Sequence, residues 1–146
     1  MSEGTADDLT LDDVEVGMSV AIDWQVTERE IDDFAQLSDD RNPLHMDSHY
    51  AVGAGFEGRV AHGFLLGAKL SGLIGMKLPG RRCLLLDQAL SFPNPVYAGD
   101  RVTIRAEVKE LHREMAVLVL KVRAESTHKG SVKTVARGTV TCKILS

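Results

Sequence analysis

The chain has 146 residues, 44% of them hydrophobic, and a formal net charge of −4. That length suits one domain around a single core, since domains commonly run to about 100–200 residues, and the apolar content excludes a disordered chain. The acidic balance and an aromatic content of 5% exclude a nucleic-acid binder, which needs basic surface against phosphate or a platform for stacking bases.

Residues 1–13 open with MSEGTADD, small and acidic, and read as a flexible terminus ahead of a single domain over 14–146. They lack the basic and apolar regions of a secretory signal. Val20, Ile22, Trp24 and Val26 then alternate with Ser19, Ala21, Asp23 and Gln25, the period of a half-buried strand. Thr27 and Glu30 form a capping box, and Ile31, Phe34, Ala35 and Leu37 mark one apolar helix face that stops at Ser38. Asp47 is placed to cap a second short helix through Tyr50 and Ala51.

From about Gly63 to Gly75 the chain is apolar almost all round, which favours a buried helix. Gly67, Gly72 and Gly75 each cost up to about 1 kcal/mol there, so the helix needs tertiary packing. With Ala68 and Ser71, these small residues are expected to let a sheet come close. After Pro79-Gly80, strands follow over 84–92, 101–111, 116–127 and 132–144, separated by short turns that imply antiparallel neighbours. The order predicts an α+β fold, a five-stranded antiparallel sheet wrapped around the apolar helix. Cys83 and Cys142 have no CxxC spacing and fit two buried free thiols in a reducing compartment. The most apolar run contains Lys69 and is shorter than the ~20 residues of a membrane span, so a cytoplasmic protein is expected.

Chemistry concentrates in SDDRNPLHMDSHYA, residues 38–51. Asp40 and His45 straddle Asn42-Pro43, and proline stiffens the turn where the two ionisable groups leave it. Such a pair meets the demand of general acid–base catalysis for two groups within reach of one proton or water. A solvated turn with an incidental histidine explains the same spacing. His45-x-Asp47-x-His49 is a rival metal set, weakened because Pro43 and the Asp47 cap start the helix after Asp47 and leave His45 on a loop. No GxSxG elbow or Cys–His neighbour points to a covalent nucleophile. Ala61-His62-Gly63-Phe64 opens the apolar helix, whose first amides lack partners and carry partial positive charge. Gly63 would let an acyl carbonyl oxygen approach them, or would merely let the helix pack; His62 reads as a core histidine with a satisfied hydrogen bond.

LSDDRNPLHMDSHYA, followed by GRVAHGFLLGAKLSGLIGMKLPG and LLLDQALSFPNPVYAGDRV, resembles the MaoC-like (R)-specific enoyl-CoA hydratases from about Val14 to the C-terminus. The resemblance implies a hot-dog fold and reversible syn addition of water to a trans-2-enoyl-CoA, giving the (R)-3-hydroxyacyl-CoA. It implies that Asp40 and His45 are the catalytic pair, that the Gly63 N–H binds the thioester oxygen, and that Ser71 supports the hydrogen-bond network. No metal and no cofactor are implied, coenzyme A being part of the substrate, and a homodimer is expected. Three other functions share the fold: dehydration of a 3-hydroxyacyl group on an acyl carrier protein, thioester hydrolysis, and acyl binding without catalysis. A carrier protein would need a basic patch, for which Arg59, Lys69, Arg81 and Arg82 are candidates.

Overall fold

Five strands with the expected alternation form one antiparallel sheet: β1 (Ser19–Gln25), β2 (Cys83–Ser91), β3 (Arg101–His112), β4 (Val117–His128) and β5 (Ser131–Ile144), in the order β1-β3-β4-β5-β2. The structure is a computed structural model and describes residues 4–146; the first three residues of the expected flexible terminus lie outside the described residues. Among the described residues four α-helices complete it: α1 (Glu28–Ser38), α2 (Pro43–Met46), α3 (Ser48–Gly53) and α4 (Gly63–Lys77). Register shifts at Leu85/Asp87, Val108/Glu110 and Ala124/Glu125 bend the strands, as bulges do, and curve the sheet around α4.

Every second residue of β3 and β4 faces this helix: Val102, Ile104, Ala106 and Val108, then Leu118, Leu120, Val122 and Ala124, all buried. Helix α4 answers with Leu65, Leu66, Leu70, Leu73 and Ile74. Burying five such side chains stabilises by roughly 8–15 kcal/mol. Its three interior glycines cost about 3 kcal/mol together, so packing wins and the helix forms against propensity. The small residues do not all serve close approach, however. A Cβ on Gly67 would lie 2.7 Å from the Gln88 side chain of β2, whereas at Gly72 and Gly75 it would meet nothing within 4 Å. Only one stripe of a helix can face a sheet, and Gly67 is on it.

Thr27 caps α1 as its sequence indicates, its side chain accepting from the Glu30 N–H at 3.1 Å. Glu30 also accepts from Trp24 Nε1 of β1 at 3.0 Å and pairs with Lys69 of α4 at 2.6 Å. Burial would raise this carboxyl, but the Lys69 and Trp24 donors outweigh it and hold the group below its usual range. One capping residue thereby fixes α1 to both layers.

The N-terminal segment makes contacts from Asp7 onward. Asp7 N–H donates to Met76 O at 2.8 Å, Arg81 N–H donates to Asp7 O at 2.9 Å, and Asp8 bridges Gly80. Leu9 and Leu11 pack on the core. Gly80 has φ +80 and a Cβ there would sit 2.0 Å from Asp7 O, so the turn after α4 requires glycine. Strands β1 and β2 are the sheet's edges, and Leu84, Leu85 and Leu86 of β2 are about half exposed. Among the described residues no helix is long and apolar enough to cross a membrane.

Candidate active site

Helix α1 ends at Ser38, whose hydroxyl donates to Phe34 O at 2.7 Å and accepts from Asp40 N–H at 3.2 Å. Asp39 follows in the left-handed region with φ 61, a conformation that aspartate tolerates better than most residues. The turn sends Asp40 back toward the next element, and Asp40 Oδ1 accepts from Asn42 N–H at 3.2 Å. Asn42 then caps α2, accepting from Leu44 N–H at 3.0 Å, with Pro43 at the first helical position. His45 therefore sits on a one-turn helix rather than on the expected loop. Asn-Pro here is a cap followed by a helix start, which reads in sequence much like a stiffened turn.

Asp47 caps α3, accepting from His49 and Tyr50 N–H at 2.9 and 3.2 Å. His45 and His49 thus belong to different helices, and the His45-x-Asp47-x-His49 metal set is not assembled. His45 Nδ1 lies 2.6 Å from Val60 O. A carbonyl only accepts, so Nδ1 carries the hydrogen and Nε2 is the atom free to exchange a proton. That Nε2 faces Asp40 Oδ2 at 3.8 Å, with the histidine side chain 14% exposed and the aspartate 48%. The gap is too long for a direct hydrogen bond. A water oxygen about 2.8 Å from both atoms would subtend roughly 85°, so one water fits between them.

Arg59 locks α2 in place. Its Nε donates to His45 O at 2.6 Å, and its Nη2 bonds the Asp32 carboxylate of α1. Of the other candidates, Lys69 pairs with Glu30 and Arg82 Nε with Asp8 at 2.5 Å, while the Arg81 side chain makes no hydrogen bond or ion pair among the described residues. Arg59, Lys69 and Arg82 are therefore committed within the chain, and the suggested patch does not present them as free cations.

His62 and Gly63 approach from the start of α4. The His62 ring is buried and stacks on the His45 ring, centroids 3.9 Å apart and planes at 25°, with Phe34 edge-on at 4.9 Å. Its Nε2 lies 3.0 Å from the backbone oxygen of Asp40, whereas Nδ1 is buried without a partner among the described residues. The expected satisfied core histidine is thus only half satisfied. Burial holds His62 below the ordinary histidine range. Asp40, His45 and His62 bring ligand-type atoms within 4.8 Å of one another. Rings stacked at 25° hold their lone pairs in nearly parallel planes, a poor fit to a tetrahedral metal.

Gly63 supplies the first amide of α4, which has no intrahelical acceptor. A Cβ there would stand 3.2 Å from the Phe92 ring. His45 and Gly63 both line a cavity of about 390 Å³, otherwise walled largely by Leu44, Phe56, Leu66, Phe92 and Val135. Asp40 is not part of the lining and reaches the site across its 3.8 Å separation from His45 Nε2. Ser71 falls eight residues beyond Gly63 on the stripe through Gly67, but it is exposed and makes no side-chain hydrogen bond among the described residues. The structure brings Asp40, His45 and Gly63 together and does not bring Ser71 to them. Sequence reasoning named Arg59 only as a basic-patch candidate and missed its bond to the His45 carbonyl, the Val60 carbonyl and the contacts of His62, all made by residues distant from Asp40 and His45 in the chain.

Comparison with known proteins identifies the family and the fold. The MaoC like domain family matches residues 13–143. An (R)-specific enoyl-CoA hydratase of Aeromonas caviae is 40% identical over 110 residues, 75% of this chain and 82% of that one. Another of that name from Rhodospirillum rubrum is 38% identical over 110 residues, covering 73% and 76%. Among solved structures, the unliganded R-hydratase PhaJ1 of Pseudomonas aeruginosa superposes with a TM-score of 0.87 at 32% identity, over 97% of this chain and 88% of that one. With an Asp–His pair beside a helix-opening glycine, and a match running almost from end to end, the chain belongs to the MaoC-like domain family.

Proposed function

We propose that this protein is an (R)-specific enoyl-CoA hydratase in which Asp40 and His45 carry the proton transfers. The supporting observation is the 3.8 Å gap between Asp40 Oδ2 and His45 Nε2 at a cavity that His45 shares with Gly63. A water held in that gap loses a proton to whichever partner is unprotonated, and its oxygen bonds to C3 of the enoyl group. The C2=C3 π electrons shift toward the thioester carbonyl, whose oxygen gathers charge against the Gly63 N–H at the positive end of α4. The protonated partner then delivers a proton to C2, and the carbonyl re-forms. The pair ends with the proton count it began with, and hydroxyl and hydrogen arrive from one side, as syn addition requires. Because His45 Nδ1–H is spent on Val60 O, all exchange at this histidine runs through Nε2.

The largely apolar lining of the cavity suits an acyl chain. Strand β2, an edge with Leu84, Leu85 and Leu86 half exposed, lies near Phe92 and the 82%-exposed Phe64. Exposed apolar edges pair with other chains, so we assign β2 to a homodimer contact, which would also cover the stripe bearing Ser71. Sedimentation equilibrium tests this part, a monomer at micromolar concentration refuting it. The activity is tested by following loss of the conjugated enoyl absorbance with short to long trans-2-enoyl-CoA substrates, and by resolving the product's stereochemistry. An (R)-3-hydroxyacyl-CoA supports the proposal. Release of free coenzyme A without hydration, or an (S) product, refutes it.

A further inference from the structure

Among the described residues, His62 is the one buried ionisable side chain in contact with both members of the pair, and the reaction above gives it no task. It touches them by different means. Its Nε2 lies 3.0 Å from the Asp40 carbonyl oxygen, so Nε2 carries the hydrogen, and its ring covers the His45 imidazole face to face at 3.9 Å. Phe34 of α1 backs the ring edge-on, leaving it little freedom to turn. His62 is also the N-cap of α4, one bond before the Gly63 amide, and its carbonyl accepts from Leu65 N–H at 3.0 Å. A single residue therefore joins the turn that carries Asp40, the helix that carries His45, and the helix end that presents Gly63.

We infer that His62 is a positioning residue that clamps the reacting pair: in its Nε2–H form it ties the Asp40 backbone and holds the His45 ring in the plane that keeps Nε2 facing the carboxylate. Its Nδ1 supports the assignment. That atom is buried without an acceptor, and a proton placed there would be an unpaired buried donor, which is costly. A core histidine serving stability alone would be expected to satisfy both nitrogens or be replaced by an apolar residue. Here the unsatisfied atom stands where the opposite nitrogen and the ring face are both in use. The inference rests on the hydratase reading for its kinetic consequences, but not for the ring's protonation form.

Three variants separate the contacts. His62→Gln keeps an N–H donor and loses the ring, His62→Phe keeps a ring face and loses the donor, and His62→Ala loses both. Among variants whose circular dichroism matches the parent, kcat should fall about tenfold for Gln and Phe and about 100-fold for Ala. KM should stay within about twofold, because His62 does not line the cavity assigned to the acyl group. Unchanged kcat in the folded Phe and Ala variants, equal loss in Gln and Ala, or a loss confined to KM would overturn the clamp. An activity-free arm reads the ring itself: ¹⁵N spectra of the imidazoles in the unmutated protein should show His62 neutral at neutral pH with its hydrogen on Nε2. A charged ring or the Nδ1–H form overturns the inference. If the parent hydrates no enoyl thioester, the functional proposal fails while the ¹⁵N spectra still decide the clamp.

Discussion

Replacing Arg59 with methionine should damage both stability and turnover, although Arg59 is not among the groups proposed to touch substrate. Its Nε donates to His45 O at 2.6 Å, and its side chain is 13% exposed against 54% for that of its partner Asp32. Methionine fills much of the aliphatic path but donates nothing. The His45 carbonyl lies in a four-residue helix, among the last carbonyls that no turn can satisfy, so losing its charged donor costs about 1.5–3 kcal/mol. The Asp32 partner is half in solvent, so that ion pair contributes no more than about 1 kcal/mol. Together these give roughly 2–4 kcal/mol, a Tm lowered by about 4–16 °C for a chain of this size. Freed of its anchor, α2 lets His45 drift, and a displacement near 1 Å can cost about 100-fold in rate. Arg59→Lys, which keeps the charge and one donor, should fall between parent and methionine variant. Calorimetry and hydration kinetics on the three proteins provide the check. A methionine variant with an unchanged Tm and kcat within about twofold of the parent would refute the role assigned to Arg59.

Other consequences are as direct. His128 lies between two carboxylates: Nδ1 bonds buried Asp100, and Nε2 stands 2.6 Å from Glu57 Oε2 without hydrogen-bond alignment. The Asp100 bond leads in holding His128 above the ordinary histidine range. Its stabilisation is therefore complete below the unfolded value of about 6.5 and fades as pH rises through the folded value. The Tm deficit of His128→Asn should accordingly be largest in mild acid and shrink toward alkaline pH; a pH-independent deficit contradicts this. Gly138→Ala should lower Tm by about 6–12 °C, because the new Cβ would stand 1.8 Å from the Ala89 backbone oxygen and push β2 away at a cost near 3 kcal/mol. An unchanged melting curve would show that the strands can part freely. Alkylation of the native protein followed by peptide mapping should mark Cys83 before Cys142. Cys142 is fully buried with its thiol pushed up, while its hydrogen bond holds the partly exposed Cys83 down.

Much of this architecture is legible in the chain because it is periodic. The alternation of Val102, Ile104, Ala106 and Val108 fixes a strand and its inner face without reference to anything distant, and the Thr27–Glu30 box marks a helix start within four residues. The Asp40–His45 pair is legible because both partners lie within six residues around one Asn-Pro, although that dipeptide proves to be a helix cap and first turn rather than a loop. What stays hidden depends on contacts between remote segments. Nothing local shows that Arg59 reaches back 14 residues to the His45 carbonyl, or that His62 reaches 22 residues to that of Asp40. Nor does composition reveal which glycine of α4 meets the sheet. That follows from the rotation of the helix on β2, which turns Gly67 inward and leaves Gly72 and Gly75 open.

The most direct test is a kinetic cycle of Asp40→Asn, His45→Gln and the double variant, each shown to be folded, in the enoyl-CoA hydration assay. If the two side chains share one water, each single change should lower kcat by about 100- to 10,000-fold, and the double variant should be scarcely slower than the worse single one. Hydration within a few fold of the parent in either single variant, or losses that multiply in the double variant, would contradict a shared water between Asp40 and His45.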